Sequence, residues 1–226
     1  MVTKLFWVIL LSVFAMPITT YAADLTGSWC LRFETGIATA LDPDLRAPEL
    51  IEADLGSSVY FGGGVGYQLF EKLRTDFTVT YRGGFQQDFE LGNIATGEGD
   101  FASTAAMLNI NYEFDPWNNI TPFAGVGFGY VYNHLDEISI VSTEGRPLAF
   151  INGGGWANFG FQIGGGITVP VHEQWMFDVG YRYFDGGKYE SSDVIHLANG
   201  VNLVFSKHVG SLSAHDLTLG IRYLFP

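Results

Sequence analysis

Basic residues are scarce in this chain: 11 lysines and arginines stand against 24 aspartates and glutamates. A polyanion is repelled by such a surface, so nucleic acid is excluded as a partner. Cysteine is nearly missing as well. Cys30 has no second thiol to pair with, so no internal disulfide holds the fold. It reads as a small filler. Long apolar runs are also lacking. The longest, "LFWVILLSVFAM" after Lys4, falls short of the roughly 18 residues that a spanning helix needs. With its basic start and small residues at Thr20 and Ala22, this stretch reads as a secretory signal peptide over residues 1–22. Residues 23–226 then form one exported domain with 10 basic against 24 acidic residues, a net charge of −14. The five histidines show no metal-ligand spacing such as a helical HExxH, so no metal or cofactor is expected.

Aromatic residues and glycine are abundant, at 15% of the chain and 29 residues. They fall into segments of period-two alternation, the signature of strands whose successive side chains point to opposite faces. In "WMFDVGYRYF", Trp175, Phe177, Val179, Tyr181 and Tyr183 oppose Met176, Asp178, Gly180, Arg182 and Phe184. "SWCLRFETGIA", "SVYFGGGVGYQL", "LRTDFTVTYR" and "AAMLNINYEF" repeat the pattern in the first half. "TPFAGVGFGYVY", "ANFGFQIGGGITV" and "HDLTLGIRYLF" repeat it in the second. Each of the eight segments runs to about ten residues, the length with which a tilted strand crosses a bilayer. Tight links "FEK", "DPWNN" and "VHEQ" join the second to the third, the fourth to the fifth and the sixth to the seventh. The other four connections are long. Short turns on one side and long loops on the other are the layout of a transmembrane barrel.

The polar faces hold Arg32, Glu34, Arg74, Asp76, Arg82, Glu113, Asp178, Arg182, Asp216 and Arg222, five charges of each sign. Enclosed ions cost several kcal/mol each, roughly, unless they are paired, so a balanced set suits an interior. The opposite faces carry essentially no charge. The expectation is an all-β, eight-stranded antiparallel up-and-down transmembrane β-barrel, with lipid outside and an ion network plugging the lumen. Trp29, Trp117 and Trp175 fall at the short-turn end, where interfacial aromatics belong.

"ITPFAGVGFGYVYN", "MFDVGYRYFDGGK" and "LTLGIRYLF" resemble the eight-stranded outer-membrane β-barrel family, which includes opacity-type surface antigens and the OmpA-type transmembrane domain. The resemblance covers about Gly27 to Phe225 and rests on strand texture. It implies a bacterial outer-membrane protein set among membrane lipids and lipopolysaccharide. It also implies placement by the barrel-assembly machinery and roles in envelope integrity, adhesion or recognition of a host or surface ligand. Such barrels end on an aromatic residue, whereas here Pro226 follows Phe225.

Three functional readings follow. The first is a non-catalytic surface protein whose loops do the recognising. The second is a narrow channel for ions or small hydrophobic solutes. The third is a lipid-modifying enzyme built on His215, Asp216 and Ser211 or Ser213. Loop carboxylates Asp42, Asp44, Glu49, Glu52, Asp54, Asp88, Glu90, Glu98 and Asp100 suit plain solvation, or bridging of lipopolysaccharide phosphates through divalent cations. "EISIVSTEGRPLAFI" has the alternation of a hairpin turning at Glu144-Gly145. "VIHLANGVNLVFSKHVGSL" is apolar enough to cover the barrel mouth or to meet a partner.

Overall fold

The computed structural model describes residues 25–41, 53–54, 56–91, 95–190, 192, 194–204 and 209–225. The expected signal peptide, Asp42, Asp44, Glu49, Glu52 and Pro226 lie outside these residues. Eight long strands carry the architecture: β1 (Trp29–Ala40), β2 (Ser57–Phe70), β3 (Leu73–Leu91), β4 (Ala95–Glu113), β5 (Thr121–Leu135), β6 (Gly154–His172), β7 (Trp175–Glu190) and β8 (Val209–Leu224). Each carries one of the eight alternating segments, to within a residue at the ends. Every neighbour in sequence pairs antiparallel, from β1 with β2 through to β7 with β8. β8 then pairs with β1, Leu31 opposite Tyr223 and Ile37 opposite Leu217, and the ring closes. Among the described residues no helix occurs.

Tight turns close the short-link end. Asn118 and Asn119 sit at φ 48° and 61°, the left-handed pair of a two-residue hairpin turn. Asparagine tolerates that conformation better than most residues. Trp29, Trp117 and Trp175 all stand exposed at this end. Trp29 packs on Tyr67 at 4.9 Å and Trp175 on Tyr223 at 5.0 Å between ring centroids.

At the other end the wall continues above the segments visible in the sequence. β3 runs nine residues past Arg82, the last residue of its segment, because Gly83-Gly84 form a bulge with Gly84 at φ 83°. The extra residue shifts the alternation, so Phe85 points inward and the period-two pattern breaks. A second bulge between Asp185 and Gly187 does the same in β7. The hairpin expected at Glu144-Gly145 forms from Ile138–Ser142 and Pro147–Ile151, and its first strand pairs with Ala95–Glu98 of β4. A further hairpin, Val194–Leu197 with Asn202–Val204, pairs onto Ala149–Ile151. Ile138, Ile140 and Ile151 are buried in one cluster with Phe101 and Leu135, so this added sheet extends the barrel wall upward with its apolar face inward.

The interior is layered. Cys30, Met176 and Leu224 form a small apolar closure at the short-turn end, with Leu25 packed on it. The ionic residues lie above it. Tyr60, Phe85, Phe101, Met107, Val131, Phe184 and Leu212 form a larger apolar layer towards the long loops. β4 shows the change within one strand. Its inward row passes from Asn111 and Asn109 to Met107, Ala105 and Phe101, while its exposed row passes from Tyr112, Ile110 and Leu108 to Asp100 and Glu98. Leu31, Phe33, Phe61, Phe128, Phe161, Leu219 and their neighbours leave the outer wall uncharged and apolar.

Leu219 faces outward between Thr35 and Val179. Replacing it by arginine sets a charge against acyl chains, which costs about 2–4 kcal/mol near the bilayer centre. Equilibrium unfolding in lipid vesicles should show that loss for Leu219→Arg. A variant as stable as the parent would mean that this face is wet.

Candidate functional site

The ten ionic residues named from the sequence lie together in the lumen, all on inward positions of β1, β3, β4, β7 and β8. They make one connected chain of contacts. Arg82 Nη2 reaches Asp216 Oδ2 at 2.7 Å, and Arg182 Nε donates to the same oxygen at 2.8 Å. Arg182 Nη1 then reaches Glu34 Oε1 at 2.8 Å, and Arg32 Nε reaches Glu34 Oε2 at 3.0 Å. Arg32 Nη1 lies 3.4 Å from Asp76 and 3.6 Å from Asp178. Arg74 binds Asp76 and Glu113, while Arg222 holds Asp178 through two nitrogens at 2.9 and 3.0 Å. Glu113 also lies 3.6 Å from Arg222 and so links the last two arginines.

Every cation here is arginine. Its planar fork serves two carboxylates at once, which a lysine ammonium does with poorer geometry. The apolar layer helps at the upper edge: Arg82 stacks 3.8 Å above the Phe184 ring and 5.1 Å from Tyr60, and Arg182 lies 4.9 Å from Tyr60. Room for the long side chains comes from glycine. A methyl on Gly164 would meet Arg182 Cβ at 2.5 Å, and one on Gly66 would meet Asp76 at 2.3 Å.

Sequence reasoning on charge alone passed over the neutral partners. Asn111 Nδ2 donates to Asp76 at 2.8 Å, Thr168 Oγ1 to Asp178 at 2.7 Å and Gln68 Nε2 to Glu113 at 3.2 Å. Asn109 joins Gln162 and donates to Thr78 Oγ1. All occupy the same alternate positions as the ions, so strand parity was the signal that could have found them. The apolar upper layer was missed in the same way, since Tyr60, Met107 and Phe184 share the polar faces.

The triad read from the sequence is not assembled in the structure. His215 and Asp216 are adjacent in β8 and therefore point to opposite sides of the wall. Asp216 is fully buried among arginines, while the outward His215 Nδ1 is 2.5 Å from the Tyr181 hydroxyl. No triad can form from this pair. Among the described residues no three His, Cys, Asp or Glu side chains converge on a metal position.

Arg182 is the link between Glu34 and Asp216. Arg182→Leu removes a buried cation and leaves two enclosed carboxylates short of a partner, a loss of about 3–5 kcal/mol. The folded form should convert to the unfolded one at lower temperature on semi-native gels. Unchanged heat resistance would place Arg182 in water.

Comparison with known proteins gives the same architecture. The family described as outer membrane protein beta-barrel domain matches residues 6–225. Outer membrane protein PagN of Salmonella typhimurium is 28% identical over 182 residues, covering 73% of this chain and 73% of that protein. A candidate adhesin of Rickettsia akari is 22% identical over 219 residues, covering 90% of this chain and 91% of that protein. Neisserial surface protein A shares the fold at a TM-score of 0.54 and 18% identity, covering 87% of this chain and 97% of its own. OprG of Pseudomonas aeruginosa shares it at 0.52 and 14% identity, covering 88% and 97%. A closed ring of eight strands with an apolar exterior, matched by the family over nearly its whole length, belongs to the outer membrane protein beta-barrel domain family and resides in the bacterial outer membrane.

Proposed function

We propose that this chain is a non-catalytic surface-recognition protein: the barrel is a sealed anchor, and the sheet built from its long loops meets a partner outside the cell. One observation carries this reading. The hairpins at 138–151 and 194–204 are ordered into a single sheet continuous with β4, which joins two of the four long connections into one broad platform. Its far edge presents Val201, Leu203 and Val204 to solvent. The candidate adhesin of Rickettsia akari, alike over 90% of this chain, supports the same role.

Charge narrows the partner. The ten lumen ions cancel, so the net −14 expected of the exported domain falls outside that network, on loops, turns and the upper parts of the strands. Such a surface repels sulfated or phosphorylated polymers and favours a neutral or basic partner. The same carboxylates approach lipopolysaccharide phosphates only through divalent cations. Anchoring in lipid, with insertion by the barrel-assembly machinery, completes the proposed set of partners. A contribution to envelope integrity follows from the rigid, ion-filled wall.

The channel reading is disfavoured because two apolar layers bracket the ions. An ion crossing either layer sheds its water with nothing to replace it. Planar bilayers containing the purified protein should stay silent under applied voltage, and steady openings would refute the sealed lumen. The recognition role is tested on whole cells. A non-adherent bacterium displaying the full chain should bind animal cells or matrix proteins. Replacing residues 139–150 by a short Gly-Ser turn should lower that binding tenfold or more while the barrel stays heat-modifiable. Equal binding by both would remove the platform from the function.

A further inference from the structure

The ion network leaves one side of the lumen thinly filled. Its charges come from β1, β3, β7, β8 and Glu113 of β4, whereas β5 and β6 offer glycines and amides on their inward positions. On that side lies a cavity of about 50 Å³, lined among others by Asp76, Asn109, Asn111, Gln162, Arg182 and Thr218. A water needs about 10–15 Å³ on this measure, so there is room for several. Arg182 is more than nine-tenths buried on the cavity wall, yet its Nη2 has no hydrogen-bond partner. A buried guanidinium nitrogen left unpaired is costly, and an acceptor in the cavity would satisfy it.

Phe123 is the one inward-facing apolar side chain on the lining. It sits near the start of β5, just above the Trp117–Ile120 turn, so it lies at the short-turn edge of the cavity. Cross-strand register sets Phe123, Gly166 and Gly180 in one row. A methyl on Gly166 would come within 3.0 Å of Phe123 Cζ, and one on Gly180 within 3.6 Å. The ring therefore lies across the space that two missing side chains leave open. The Arg74 guanidinium stands 5.8 Å from the ring centre.

We propose that this cavity is a hydrated binding site for small uncharged solutes that accept a hydrogen bond, with water as the resident, and that Phe123 is its door to the periplasm. Charge sets the ligand class: five arginines and five carboxylates already cancel around the site, so an added ion would be unbalanced in a buried place. At the short-turn end Cys30, Met176 and Leu224 cap only the β1, β7 and β8 side, which leaves Phe123 to cover the β5 and β6 side. The apolar layer of Tyr60, Met107, Val131 and Phe184 closes the other end. The site is a blind pocket, filled and emptied from one side.

The test places a thiol on the cavity wall. Thr218→Cys is made in a Cys30→Ser background of the full chain, purified and folded in detergent. The probe is methyl methanethiosulfonate, small and neutral, compared with its anionic sulfonatoethyl analogue. With Phe123 in place, modification of the new thiol should be slow. Phe123→Ala should speed it at least tenfold for the neutral reagent and less for the anionic one. Met107→Ala, which thins the opposite closure, should leave the rate unchanged. Equal rates with and without Phe123, or acceleration by Met107→Ala instead, would overturn the door. A faster anionic reagent would overturn the neutral ligand class. Should Phe123→Ala lose its folded band, Phe123→Leu takes its place with a smaller acceleration expected, and a folded Phe123→Leu with no acceleration sinks the proposal.

Discussion

Hydrocarbon gives a backbone amide nothing to bond to, and the rest of this molecule answers that constraint. A sheet satisfies its own amides only if it has no edge, so β8 must return to β1. Closure then forces the alternation to mean inside and outside rather than core and water. Outward positions must be apolar because acyl chains surround them. Inward positions can be polar, but only with partners, since the narrow lumen of eight strands leaves little room for bulk water. The pairing of Arg82, Arg182 and Asp216 at the heart of the ring is thus a consequence of closure.

Enclosed charge is tolerated here because of what surrounds it. Each carboxylate meets at least one guanidinium, and several also accept from neutral amides or hydroxyls such as Asn111, Gln68 and Thr168. Glycines on β2, β5 and β6 let neighbouring arginines and amides spread across the lumen. Apolar layers above and below keep bulk water from competing for these contacts. In the function proposed above, anchoring and sealing are one property, and recognition is assigned to the sheet above the membrane.

Much of this was written in the sequence, and the limits have physical causes. Period-two alternation marked all eight strands, and parity placed all ten ions on inward positions. The turn at Glu144-Gly145 was legible from its flanking alternation. The upper parts of β3 and β7 were not, because bulges at Gly84 and Gly187 break the periodicity on which the reading relies. Tyr60, Met107 and Phe184 were seen on the right face but not as a layer, since their association depends on which strands are neighbours across the lumen. The stacking of the 194–204 hairpin on the 147–151 strand is a contact between distant loops, and no local pattern encodes it. His215 and Asp216 looked like partners in one dimension and were separated by the pleat.

The turnover along β4 has a consequence for where the molecule floats. Below Met107 the strand is inside-out, with Leu108 and Ile110 towards lipid; above it the strand is dressed like a water-soluble protein, with Phe101 hidden and Asp100 and Glu98 outside. Rising would carry leucine and isoleucine towards water, and sinking would carry carboxylates towards oil. The vertical position is therefore pinned from both directions, like a hull loaded to its waterline.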